Sequence, residues 1–168
     1  MKTEDSAHGE LEKLGELIGD VEVAMLTTHA ADRSMVSRPL QTLAYRGNGE
    51  LVFFTAADSH KGDELHARPD VNVAYANPSK QTYVSVRGEA SLDRDRATID
   101  ELWSPAFRVY FEGGKDDPNL AVLRIRIRDA VYWEASGNFV GRAIDFARAA
   151  MTHDSSKMGE HGRLHGNA

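Results

Sequence analysis

Residues 35–55 read MVSRPLQTLAYRGNGELVFFT, two apolar runs either side of a turn. Met35–Tyr45 reads as a strand, and Glu50–Thr55 as a second strand returning along it. Between them Arg46-Gly47-Asn48-Gly49 is a strong hairpin signal, because Asn-Gly tolerates positive φ. Strands joined by so short a turn run antiparallel. The same pattern extends outward in both directions. Val21–His29 is a strand that enters through the Ala31–Ser34 turn, and Val71–Ala76, Gln81–Leu92 and Asn119–Trp133 follow downstream. Six strands result, and the connections hold short helices. Leu11, Leu14, Leu17 and Ile18 share one helical face, a helix follows Ser59, and Asp93–Trp103 and Val140–Met151 are helical. Ser104–Pro118 reads as irregular, broken by Gly113-Gly114 and Asp117-Pro118. The expected fold is mainly β with helical additions, a six-stranded antiparallel barrel. A doubly wound sheet is disfavoured, since no G-x-G-x-x-G follows a strand.

The composition narrows the function classes. The 168 residues suit one domain, expected over residues 1–151, and 41% hydrophobic residues can supply its core. Thr152–Ala168 contains one leucine and reads as a flexible polar tail. A net charge of −6 argues against a nucleic-acid partner. Without cysteine there is no disulfide, thiolate nucleophile or Cys-based metal site. His153, His161 and His165 lie in the polar tail, so no metal site is expected there. The N-terminus lacks an apolar signal region, and no apolar run approaches the ~20 residues of a membrane span. A cytoplasmic protein with no membrane partner is the expectation.

Three local features carry chemistry. Ser59-His60-Lys61 opens a helix with a hydroxyl, an imidazole and an ammonium. Helix N-termini are already positive, so a cation there suits a bound phosphate, although Ser59 can equally be a plain N-cap and Lys61 a solvated side chain. Arg38-Pro39 interrupts a strand, and Pro cannot donate to a ladder. Unpaired backbone beside Leu40 and Gln41 suits a flat polar ligand; an outward Arg on an edge strand is the plainer alternative. Gln81 heads a strand, with Ser85 on the same face. Its amide suits a ring bearing both donors and acceptors, or simply an exposed polar face. Arg124, Arg126 and Arg128 form an alternating stripe that reads as an ion-paired or solvated strand face.

The order of these segments resembles a known family. RPLQTL (38–43), LVFFT (51–55), Ser59-x-Lys61, RPDVNVAYA (68–76) and QTYVSVRGEASL (81–92) are similar to the FMN-binding split barrel of the pyridoxamine-phosphate-oxidase-like superfamily. DRATIDELW (95–103), GGKDDPNL (113–120) and Tyr132-Trp133 resemble its general-stress-protein branch. The resemblance implies a homodimer with flavin, FMN or FAD, in a groove between the subunits. It implies that Arg38, Ser59 and Lys61 hold the phosphate, with His60 at that end. Pro39, Leu40, Gln41 and Thr42 would line the ring edge, Phe54 and Thr55 would complete the wall, and Gln81 would arrive from the partner subunit. His60 stands where the oxidases often carry an Arg. True pyridoxamine-phosphate oxidases continue into a strand-flanked Arg- and His-bearing segment. GRLHG (162–166) has no such flanking strand on the sequence reading, so vitamin B6 oxidation is not implied.

The resemblance thus implies a flavin-dependent oxidoreductase acting on a small molecule, with NAD(P)H as a candidate electron donor. The alternatives are a flavin store or redox sensor without catalysis, or a split barrel that holds haem or serves structure alone.

Overall fold

The computed structural model describes residues 4–135 and 160–165, and among these are eight strands and three α-helices. Helix α1 spans Glu4–Ile18, followed by β1 (Val23–His29), β2 (Met35–Gln41), β3 (Ala44–Arg46) and β4 (Glu50–Ala56). Helix α2 (His60–Ala67) leads to β5 (Asp70–Asn77) and β6 (Thr82–Asp93). After α3 (Arg96–Leu102) come two 3-10 turns, Pro105–Val109 and Gly114–Asp116, then β7 (Leu120–Glu134) and β8 (Glu160–His165). The strands form one antiparallel sheet in the order β2-β1-β5-β6-β7-β4-β3, with β8 also on β7.

The sheet curls because its two ends are neighbours in sequence. β2 and β3 are the terminal strands, yet only Thr42 and Leu43 separate them. The Thr42 N–H bonds Glu22 O on the β1 side at 2.8 Å, and the Leu43 N–H bonds Val52 O on β4 at 2.9 Å. One peptide step therefore crosses from one end of the sheet to the other, which is what makes a split barrel. The single strand expected over Met35–Tyr45 is accordingly two strands. The polar pair Gln41-Thr42 between Leu40 and Leu43 is where the alternation changes parity, and barrel closure breaks the strand there.

The hairpin between β3 and β4 is a three-residue loop with Gly49 at φ 88°. Asn48 keeps negative φ, so Gly49 alone supplies the left-handed residue this loop type requires. β7 has an irregularity opposite Arg87 and Gly88, beside Asp129. Before it β7 pairs with β4, through Arg126; after it β7 pairs with β8, from Asp129. A Cβ on Gly88 would lie 2.7 Å from Arg126 O, so the close approach there requires glycine.

Two apolar cores result. The barrel interior packs Leu26, Leu51, Phe53, Val73, Val86, Leu123 and Ile125, with Leu14, Leu17 and Ile18 of α1 closing one end. A second core lies on the opposite face of β4 and β7, where Val52, Phe54, Leu120 and Val122 meet Ile99 and Phe111. β4 is thus buried on both faces, and its run Leu51–Thr55 is buried throughout.

The C-terminal segment corrects one expectation. Residues 160–165, read as part of a polar tail, form β8 against Asp129–Glu134. Leu164 is buried in the barrel core, and a side chain at Gly162 would meet the Tyr132 ring at 2.8 Å. Gly162–His165 of GRLHG therefore lie in a strand after all. Composition misses it because backbone pairing to an open β7 edge demands few apolar side chains. The helix expected over Val140–Met151 lies outside the described residues.

Candidate functional site

The free edge of β2 defines the site. Thr42 bonds Glu22, and Ala30 N–H bonds Ser34 O at 2.8 Å, so the even-numbered residues of β2 face β1. Antiparallel ladders alternate. The main-chain groups of Ser37, Pro39 and Gln41 therefore point away from β1, toward the open edge. Pro39 costs no ladder bond there, which is why this strand tolerates it. The result is an edge that offers Pro39 C=O and both polar groups of Gln41.

A cleft of about 340 Å³ borders this edge. It is lined by Pro39, Leu40 and Gln41 of β2, by Leu43 and by Phe54, Thr55 and Ala56 of β4, and by Phe107, Tyr110 and Phe111 from the segment after α3. The aromatic wall is held by edge contacts: Phe54 and Phe107 centroids lie 5.4 Å apart, and Trp103 and Phe107 centroids 5.8 Å apart. Tyr110 is 76% exposed at the rim. The cleft suits a flat, largely apolar ring with donors and acceptors along one edge. Among the described residues, the Tyr110 phenol is the sole ionisable side chain on its walls.

Of the residues expected at the site, Pro39, Leu40, Gln41, Phe54 and Thr55 come together in this cleft. Thr42 does not line it. Its hydroxyl lies 3.0 Å from the Tyr75 hydroxyl, and its N–H is used at the barrel corner. Burial pushes the Tyr75 phenol up to about 12, with the Thr42 hydrogen bond working against that shift. Gln81 lies outside the cleft, exposed at the start of β6, with φ at 50°. Leu43, Ala56, Phe107, Tyr110 and Phe111 are cleft residues that the sequence reading misses. The i, i+3, i+4 spacing of Phe107, Tyr110 and Phe111 is the signal that marks them as one face of a helical turn.

Arg38 faces inward, paired across the ladder with buried Leu26. Its Nη1 donates to Thr28 Oγ1 at 2.7 Å and to Glu64 Oε2 at 2.9 Å, while Nη2 donates to Glu64 Oε1 at 2.9 Å. The Thr28 hydroxyl donates to Glu64 Oε2 at 2.6 Å. An Arg has five N–H donors, so Nε–H and one Nη2–H are left over. Ser59 occupies the N-cap position of α2 but makes no side-chain cap bond, and its hydroxyl donates instead to Ala56 O at 2.8 Å. The first turn of α2 is thus not sealed by its own cap. His60 and Lys61 supply that turn, and their side chains lie outside the described part of the structure.

Comparison with known proteins agrees with this architecture. Protein bli-3 of Neurospora crassa is 28% identical over 139 residues, covering 77% of this chain and 66% of that protein. General stress protein 26 of Bacillus subtilis is 32% identical over 78 residues, covering 45% of this chain and 55% of that protein. The chain thus spans less than two thirds of either relative. Among solved structures, the general stress FMN/FAD binding protein from Xanthomonas citri superposes with a TM-score of 0.65 at 27% identity, covering 82% of this chain and 94% of that one. The profile of the pyridoxamine 5'-phosphate oxidase-like family matches residues 9–157. With that match spanning nearly the whole chain, including every strand through β7 and the whole cleft, the protein belongs to the pyridoxamine 5'-phosphate oxidase-like family.

Proposed function

We propose that the chain is a flavoprotein of the general-stress type, binding FMN in the cleft beside β2. The observation that carries this reading is the unpaired Pro39–Gln41 edge set against an aromatic wall. The ring system of a flavin has an apolar body and a polar edge that alternates donors and acceptors, and this donor set fits it. Pro39 C=O and the Gln41 main chain would meet the polar edge, while Phe54 and Leu43 back the apolar part. Arg38 and Ser59, together with Lys61, would hold the phosphate at α2, where helix N–H groups and the helix dipole favour an anion. The names of the stress-protein relatives and of the Xanthomonas citri neighbour support the same reading.

We place the flavin between two copies of the chain. The outer face of β1, β5, β6 and β7 exposes Val23, Met25, Tyr83 and Trp133 around Ala74 and Ala76. So broad an apolar face is unusual on a monomer and suits a twofold partner. Gln81 would then reach the partner's flavin from the edge of this face. No described helix is long and apolar enough to cross a membrane, and a cytoplasmic setting goes with this reading.

The flavin would supply hydride or single-electron transfer to or from a small molecule, with NAD(P)H as the electron source. The chain would bind and orient it and exclude water. Among the described residues the cleft wall carries one ionisable group, the Tyr110 phenol, which favours a second reading as well, a flavin carrier or redox sensor without proton-transfer chemistry of its own. Purified protein should show flavin absorption and scatter light as about twice the 18.5 kDa chain. Rapid bleaching of the flavin by NADH or NADPH under anaerobic conditions would favour the oxidoreductase. A colourless protein that takes up neither FMN nor riboflavin would end both readings.

A further inference from the structure

We infer that Glu64 is the residue that sets how strongly this protein discriminates a phosphorylated flavin from an unphosphorylated one. The inference rests on the flavin reading above. The carboxylate grips Arg38 end-on through Nη1 and Nη2, both contacts at 2.9 Å, and the Glu64 side chain is only 10% exposed. Buried Thr28 completes the clasp from β1. Glu64 lies one helical turn after His60 and Lys61, so the same face of α2 carries the clasp and, at its start, the proposed phosphate end. A phosphate arriving there finds Arg38 already neutralised by a resident anion.

Two consequences follow. The phosphate gains less from Arg38 than it would from a free guanidinium, and it is repelled directly by the carboxylate a turn away. A cavity of about 520 Å³, lined in part by His29, Asp63, Glu64 and Arg68, gives the Glu64 carboxylate space to withdraw when a phosphate takes over the guanidinium. Phosphate and carboxylate therefore compete for one cation. Glu64 holds the flavin-free form together and keeps phosphate affinity below what Arg38 alone would give, which makes the flavin exchangeable.

The test is calorimetric titration of FMN and of riboflavin into flavin-free wild type, Glu64→Gln and Arg38→Ala. Glu64→Gln should raise the preference for FMN over riboflavin by roughly tenfold, the scale of one charge acting on a dianion about a helical turn away in a largely aqueous setting. Riboflavin affinity should stay within about twofold, and the flavin-free variant should melt lower than wild type. Glu64→Met, of similar volume, serves where the amide does not fold, and should shift the preference the same way. A preference that is unchanged or falls in the folded Glu64 variants overturns the inference, since a merely structural role would move both ligands together. Failure of the flavin reading looks different: wild type would bind neither ligand. If Arg38→Ala leaves the wild-type preference intact, Arg38 does not read the phosphate and the inference falls with it.

Discussion

The rings of Phe54 and Phe107 meet edge to face, with centroids 5.4 Å apart and planes at 78°. Phe54 belongs to the buried strand β4, and Phe107 to the short 3-10 turn after α3. This contact fixes a segment of little regular structure onto the sheet and makes it a cleft wall. Phe107→Ala removes the contacts to Phe54 and to Trp103. Aromatic pairs contribute roughly 0.5–1.5 kcal/mol each beyond area burial, so the two lost pairs alone should cost about 1–3 kcal/mol in urea denaturation. On the proposed binding mode the wall faces the ring and not the phosphate, so FMN and riboflavin should weaken together. A selective loss of FMN would show that the wall is misassigned.

Truncation after Gly159 should destabilise the protein. It removes β8, uncovers the β7 edge from Asp129 to Glu134, and takes Leu164 out of the core. Burying a leucine is worth about 1.5–3 kcal/mol, and the lost strand pairing adds to that. Leu164→Ala isolates the packing part and should cost about 2–4 kcal/mol. A melting temperature equal to that of the full chain would mean that β8 contributes nothing in solution.

Much of this architecture can be read from residues 10–56. Leu11, Leu14, Leu17 and Ile18 announce α1, and all four are buried. Gly49 announces the β3–β4 hairpin. What the sequence conceals are relationships set by closure. Only a one-residue shift of apolar parity marks Thr42-Leu43 as the crossing point, and both residues otherwise have ordinary strand character. Glu64 lies 26 positions from Arg38, and only the docking of α2 against β1 and β6 makes them partners. β8 is hidden for a different reason, since its pairing depends on an available edge and not on its own propensity.

Asp95 should give a pH-dependent contribution through α3. Its carboxylate accepts from Thr98 Oγ1 at 2.6 Å and from Thr98 N at 3.2 Å, and these bonds hold its carboxyl below the ordinary value of 3.8. A depressed folded-state pKa means the unfolded chain binds the proton more readily. The contribution is therefore full above about pH 5 and is lost as pH falls below the ordinary value and through the folded one. Asp95→Asn keeps a capping oxygen and should flatten this part of the acid stability profile, whereas Asp95→Ala removes the N-cap acceptor and should melt lower than wild type at neutral pH. Parallel acid-melting curves for Asp95→Asn and wild type would show that the titration lies elsewhere.

Gln81 offers a way to separate backbone from side chain. Its φ of 50° is a conformation glycine adopts more readily, and its backbone is tied by bonds from its N–H to Pro78 O and from Ala135 N–H to its own carbonyl. Gln81→Gly relieves that strain, so its melting temperature should be equal to or above that of wild type. If the amide reaches the partner's flavin, the same variant should bind both FMN and riboflavin more weakly, by about 3- to 10-fold, the scale of one neutral hydrogen bond. Unchanged affinity with raised stability would leave Gln81 a turn residue and nothing more.

Lys61 gives the sharpest separation of the phosphate end from the ring end. It stands in the first turn of α2, a helix whose Ser59 makes no side-chain cap. A lysine bonded to a phosphate dianion there contributes roughly 1.5–3 kcal/mol, so Lys61→Ala should weaken FMN about 10- to 150-fold. Riboflavin has no phosphate and should lose far less. The fold should hold, and flavin-free Lys61→Ala should melt close to flavin-free wild type. The effect should also shrink as salt is raised, since the interaction is between opposite charges. Equal losses for the two ligands would place the lysine away from the phosphate, and no loss for either would return it to solvent.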